Sequence, residues 1–358
     1  MRSFLAPACV ALLLTATLAT SGCTTAGYYW QLARGQWQLL SSRESIAGIV
    51  GDPQRDPRLR ERLRQLQQAR RFASDVLHLP DNGSYTQYAD LGRDYVVWNV
   101  FATAEFSLDA VESCFPIAGC LAYRGYFSQA GAEQQAGRLR EQGYEVDVGG
   151  VPAYSTLGWF DDPVINTMMR WSDAHLIGTL FHELAHQKLF VKNDTAFNES
   201  FASFVEEQGR RDYIALADVP GLDEAAEAQR EARSREFVEL ILGTRDELKA
   251  LYAQPLEADA MRQAKQAVFD DLQARYRALR DGAWGGYAGY DGWFAQPLNN
   301  ARLLPFGLYD QWVPAFAALW REQNRDWRAF FEAATLIGKL PAAQRQARLQ
   351  ALLAEPSA

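Results

Sequence analysis

Apolar residues recur at three- and four-residue spacing through most of the second half of this chain, and gather in short β-branched and aromatic runs in the first. Leu59, Leu63, Leu66, Phe72, Val76 and Leu77 keep one apolar face opposite arginines and glutamines, which predicts a helix over 57–79. Leu79-Pro80-Asp81-Asn82-Gly83 stops it. Ahead of it, residues 24–56 mix aromatics with polar residues and end in a Pro-containing turn. Strands are predicted at 95–101, 121–127 and 144–148, with an Ala- and Gln-rich helix over 128–142 closed by Gly143. Residues 151–160 read as a further extended run, stopped by Asp161-Asp162-Pro163. From 164 to 207 the pattern is helical, interrupted at 191–194, and helices follow over 222–242, 244–251, 256–280, 299–320 and 327–353. Between them, 281–297 sets five glycines among Trp284, Tyr287, Tyr290, Trp293 and Phe294, either a mobile lid or an irregular core connector. The expected class is α+β, mainly helical, with a small mixed sheet ahead of the helix around residue 182. No internal repeat or clear interdomain linker divides it.

Composition changes that picture little. With 48% hydrophobic and 22% charged residues the chain is globular, and 358 residues can bury a substantial core. A formal charge of −8 argues against a nucleic-acid partner, whose surface would call for a basic protein.

The first 22 residues read as a leader. Met1-Arg2 opens it, Phe4 to Ala19 is an apolar run short for a membrane span, and Thr20-Ser21-Gly22 leads into Cys23. This resembles the bacterial lipobox, although Thr20 stands where leucine is usual. The resemblance implies lipidation of Cys23 after cleavage, and Thr24, which is not aspartate, implies a periplasm-facing outer-membrane lipoprotein. An ordinary cleaved signal peptide and an uncleaved anchor are the other readings. Loss of Arg2 with the leader takes the charge from −8 to −9. What remains, 23–358, is read as one domain, with a sheet-containing part over about 24–190 and a helical part over about 191–358.

Cysteine usage agrees with export. Beyond Cys9 in the leader and Cys23, only Cys114 and Cys120 remain, bracketing a turn-capable Phe115-Pro116-Ile117-Ala118-Gly119. They suit a small disulfide loop in an oxidising compartment. Two buried thiols, or two ligands of another metal, are the alternatives.

The chemistry concentrates between Phe181 and Glu206. His182-Glu183-Leu184-Ala185-His186 is an H-E-x-x-H pattern. On a helix its two histidines lie one turn apart on one face and can meet one metal ion. Glu183 is then placed to take a proton from water activated by the metal. Leu176, Ile177, Leu180, Phe181, Leu184 and Leu189 make the helix a buried one, where an imidazole needs a partner. Two core histidines bonded to backbone or carboxylates are the bland alternative.

Asn198-Glu199-Ser200-Phe201-Ala202 and the following Glu206 closely resemble the zinc-ligand helix of aminopeptidase N relatives. The resemblance implies Glu199 as third zinc ligand, with one position open to water, and Glu206 as a carboxylate behind the ligands or on the substrate side. The link from His186 to Glu199 is shorter than in that family. The wider sequence, including GCLAYRGYF, AYSTLGWF, HELAHQ and FNESFASFVE, resembles the bacterial putative aminopeptidase family of zinc-dependent lipoproteins over about 24–350. That implies a zincin-like fold, one Zn2+ per chain and a peptide substrate. Catalytic Glu183 would be joined by a tyrosine that donates to the oxyanion: Tyr309 first, then Tyr290 and Tyr287.

The run from Ala153 to Trp159 stands where related zincins place an edge strand that pairs with substrate, which implies substrate-side roles for Tyr154 and Gly158. That segment lacks the acid that holds a free amino terminus in aminopeptidase N, so Glu206 or Asp162 would have to replace it. His175, two turns before His182, reads as core or helix surface. The function expected is zinc-dependent peptide hydrolysis, as an aminopeptidase. An endopeptidase is the second reading, and an envelope scaffold with a structural zinc the third.

Overall fold

The computed structural model describes residues 26–115, 119–153, 155–156, 158–217, 224–306 and 311–354. In chain order these form α1 (26–41), β1 (Arg43–Ser45), α2 (Ile46–Gly51), α3 (Pro57–Asp75), β2 (Gln87–Ala89), β3 (Val97–Thr103), β4 (Ser113–Phe115), β5 (Gly119–Leu121) and β6 (Tyr123–Tyr126). Then come α4 (Gln129–Glu141), β7 (Glu145–Val151), β8 (Val164–Ile165), a 3₁₀ turn (Asn166–Arg170), α5 (Asp173–Lys188) and α6 (Thr195–Ala217). The helices α7 (Glu224–Tyr252), α8 (Ala258–Asp281), α9 (Asp291–Phe294), α10 (Asn300–Leu303), α11 (Val313–Glu322), α12 (Trp327–Gly338) and α13 (Ala342–Ala354) complete the described chain. The class is α+β and mainly helical, and every described strand precedes residue 166.

The strands form small sheets. β3 is central in an antiparallel β6-β3-β7 sheet, and β2 joins β1 antiparallel and β8 parallel in another. β3 is covered on both faces. Trp98, Val100 and Ala102 pack with Ala132 and Ala136 of α4, whereas Val97 belongs to the main core and Phe101 packs with Ala301 and Leu304. The β4-β5 hairpin puts Cys114 directly opposite Cys120, and the two form a disulfide, as their spacing suggested.

α5 is the centre of the main core. Ser172 caps its start by accepting from the His175 N–H, and residues from Ala174 to His186 are buried nearly all round. A helix apolar on every side must be enclosed, and α3, α6 and the sheet elements supply the enclosure. α6 runs back antiparallel beside it: a Cβ on Gly178 would meet Glu206 and Arg210 at 3.0 Å, while His186 faces Glu199. Gly178 therefore sets how closely the two helices approach.

Four sequence expectations need correcting. Gly243 does not break the helix, so α7 is continuous over Glu224–Tyr252. Of the two readings left open for the Gly-aromatic segment, which is not among those four, the core connector is the one seen: Trp284 is 3% exposed, and Tyr287, Tyr290, Trp293 and Phe294 pack with Phe237 of α7 and Tyr276 of α8. The segment 299–320 is two helices, and Pro341 ends the run after α12. The extended run over 153–159 is not a strand among its described residues. Pro152 has no N–H to offer a ladder, Gly158 takes a left-handed φ of +81°, and the loop curls around Asp162.

Candidate metal centre

Three side chains converge between α5 and α6. His182 Nε2 and His186 Nε2 are 3.1 Å apart, and Glu199 Oε2 lies 3.4 Å from the first and 3.6 Å from the second. These are the edges of a small triangle. Ligands at about 2.05 Å around a tetrahedral zinc stand about 3.3 Å from one another, so the donor set and its spacing fit a zinc ion. Two imidazole nitrogens and a carboxylate are also the ligand types that zinc takes in sites with an open position. Among the described residues the other clustered group, Glu112 with Cys114 and Cys120, has its sulfurs tied up in the disulfide.

The backbone around Glu199 is fixed by its neighbours. Asn198 receives the Val191 N–H at 2.7 Å and donates to the Val191 carbonyl at 2.8 Å, closing the link between the helices. Asp194 accepts from the Phe197 N–H at 3.0 Å and caps α6, and Arg345 of α13 holds its other oxygen at 2.7 Å. On the opposite face Phe197 and Phe201 pack into the core against Phe316. The short link therefore suffices to bring Glu199 to the histidines.

Glu206 stands behind His182, with its Oε2 3.1 Å from Nδ1, and its other oxygen is 3.7 Å from Arg210, which in turn pairs with Glu231. It thus lies on the Nδ1 side of the His182 ring, away from the Nε2 that faces His186 and Glu199. A carboxylate there fixes the ring's tautomer and turns Nε2 toward the cluster. The Nδ1 of His186, by contrast, is buried with no hydrogen-bond partner among the described residues.

The electrostatics follow from the crowding. Burial disfavours a charged Glu199, but its hydrogen bonds to His182 and His186 outweigh that and draw its pKa down to about 2. Burial likewise pushes His182 down, while bonds to Glu199 and Glu206 overcome it and hold the pKa well above 6.5.

Gln187, next to His186, is gripped by the 82–84 loop: Asn82 donates to it at 2.7 Å and it donates to Ser84 Oγ at 3.2 Å. That loop is braced by the buried Arg70, which donates to the carbonyls of Pro80, Asn82 and Ser84. Gly158 lies against the Gln187 side chain, bringing the 155–162 loop to the edge of the centre with Trp159 78% and Phe160 48% exposed. Within that loop both Asp162 oxygens are committed to Thr156 and Ser155. Burial, together with the Glu183 charge, raises its pKa despite those bonds.

The tyrosines distribute differently from the expectation. Tyr290 stacks on Phe237 and Tyr287 lies under Arg233, both packing residues of the α7–α8 lobe. Tyr309, Tyr154 and Cys23 lie outside the described residues. Two unnominated tyrosines feel the centre's charges. Burial first and then Glu199 raise the pKa of Tyr123 on β6; burial, Glu183 and Asp162 raise that of Tyr85. Tyr85 also holds a left-handed φ of 62°. Their aromatic and turn settings in the sequence look like packing, and only tertiary proximity singles them out. His175 packs edge-on to Trp171, away from the ligands.

A family model described as "Putative aminopeptidase" matches residues 27–349. The chain belongs to that family. The match spans both helices of the centre, the small sheets before them and the helical half behind, so family membership takes in the whole described fold. Neither a curated protein nor a solved structure matches the chain significantly.

Proposed function

We propose that this member of the putative aminopeptidase family is a zinc-dependent peptide hydrolase acting as a periplasm-facing lipoprotein. The observation that carries the reading is the triangle of His182 Nε2, His186 Nε2 and Glu199 Oε2, with edges of 3.1–3.6 Å. His182, His186 and Glu199 would hold the ion. A zinc ion there supplies Lewis acidity, polarising the scissile carbonyl and acidifying water. Glu183, one residue from the first ligand, takes the proton from the attacking water and returns it to the leaving amine. Glu206 keeps the His182 ring in the tautomer that presents Nε2. A tyrosine hydroxyl donates to the developing oxyanion, Tyr309 by the sequence resemblance or Tyr123, whose pKa burial and then the Glu199 charge raise.

Aminopeptidase action is the family's description, and a free amino terminus would need an anionic partner. Both carboxylates considered for that role are engaged, Glu206 by His182 and Arg210, and Asp162 by Thr156 and Ser155. This favours a second reading, endopeptidase action. The deciding experiment is turnover of matched free-amine and amino-terminally blocked peptides by zinc-loaded protein, with Glu183→Gln as control. Preference for the free amine supports the aminopeptidase, and equal cleavage the endopeptidase. Full activity in Glu183→Gln would sink both.

A further inference from the structure

The helix α1 is apolar on two opposite sides. Its inner side carries Tyr28, Gly35 and Leu39, all buried. A Cβ on Gly35 would overlap the Phe127 ring, Gln31 accepts from the Phe127 N–H at 2.9 Å, and Arg124 lies over the Tyr28 ring. The helix is thus pinned against the β6-β3-β7 sheet, and its roll about its own axis is fixed. On the opposite side, at 100° per residue, Ala26, Trp30, Ala33, Arg34, Trp37 and Ser41 fall within one third of the circumference. Trp30 is 71% exposed and Trp37 70%, with Tyr29 flanking them at 42%. Scattered surface hydrophobics need no explanation, but two tryptophans stacked two turns apart on an outward stripe form a patch.

We propose that this stripe lies in the headgroup–acyl boundary of the bilayer that holds the Cys23 lipid, docking the domain in one orientation. The proposal rests on the anchoring read from the leader. From Cys23 to Ala26 the chain can span at most about 11 Å, and Trp30 and Trp37 follow about 6 and 16 Å further along the helix. A lipid at Cys23 therefore keeps the start of this helix close to the membrane surface, within reach of docking its outward face. The chemistry suits that location, since tryptophan and tyrosine rings settle at membrane interfaces with one end apolar and one wet. The charge suits it as well. In a chain of net charge −8, residues 26–41 contain one charged side chain, Arg34, which lies on the tryptophan face and suits anionic headgroups. Among the described residues no helix is long and apolar enough to cross a membrane, so α1 lies on the surface instead of spanning it.

The test uses the full chain, expressed with its leader, purified in detergent and reconstituted into phosphatidylethanolamine–phosphatidylglycerol vesicles with or without brominated acyl chains. Bromine quenches indole fluorescence at short range, so the native protein should dim in brominated vesicles. A Trp30→Phe/Trp37→Phe variant should lose at least half of that quenching and keep its peptidase activity. No quenching, or equal quenching in the two proteins, overturns the docking face. A detergent-soluble dimer that the double variant dissociates would assign the stripe to a second copy and also overturn it. Intact mass separates the two levels of failure. Lipid present without quenching rejects the docking alone; lipid absent rejects the anchor and the docking together.

Discussion

Glu206 Oε2 sits 3.1 Å from His182 Nδ1, on the side of the ring away from the three-ligand cluster, and Arg210 steadies it from beyond. Removing the negative charge while keeping the shape should loosen the ring more than the fold. Glu206→Gln is expected to weaken zinc binding about 10–100-fold, measured by competition with a chromophoric chelator. Circular dichroism should be unchanged. A wild-type affinity would show that this carboxylate does not orient the histidine.

The same contacts set a pH dependence. In the metal-free fold, hydrogen bonds to Glu199 and Glu206 keep His182 protonated well above 6.5 in spite of burial. That proton contributes stability fully present below 6.5 and lost as pH rises through the raised folded value. Zinc uptake must displace it, so affinity should climb by about tenfold per pH unit across that window. Titration calorimetry in buffers of different ionisation enthalpy should detect close to one proton released. Proton-neutral binding at pH 7 would contradict this account.

Arg70 is 6% exposed and is shared among three backbone carbonyls of the 80–84 loop. Arg70→Met would leave those acceptors buried without a donor, at a cost of about 3 kcal/mol. Because that loop grips Gln187, activity should fall together with the melting temperature. A stable variant of normal activity would show that the loop is held by other means.

Phenylalanine variants of the tyrosines should separate donor from packing. The one that stabilises the oxyanion should lose about 10²–10³ in kcat with little change in KM or stability. Tyr309→Phe and Tyr123→Phe are the decisive pair; Tyr290→Phe, in the α7–α8 lobe, should leave kcat within a few-fold.

Much of this was legible because helices obey a local rule. The H-E-x-x-H spacing fixes which face two histidines share, and a hydrophobic run tells that the face is buried. Glu199 was reachable through a motif resemblance, and the structure sets it where that resemblance put it, beside both histidines. The Cys114–Cys120 pairing followed from two cysteines around a turn. The edge strand over 153–159 failed because Asp162, six and seven residues further on, recruits Thr156 and Ser155 into a loop, a side-chain competition that alternation of residue types does not display. The Gly-rich 281–297 segment could not be settled between lid and connector from the sequence, because its aromatics find partners on α7 and α8 that only the folded chain supplies. Tyr85 carries no sequence mark, and Tyr123 sits in the GCLAYRGYF run with nothing there to tell it from a packing residue.

Arg345 reaches from α13 to the residue that caps α6, and it also holds the carbonyls of Gly338 and Leu340. The helix bearing Glu199 is thus latched by a side chain made almost 150 residues later. A nascent or truncated chain that lacks residue 345 keeps the Asn198 clamp on Val191 and the Asp194 cap but loses the cross-tie that joins them to the end of the chain. On the reading proposed above, such a chain would hold Glu199 less firmly beside the histidines, and full metal affinity would wait for the finished fold.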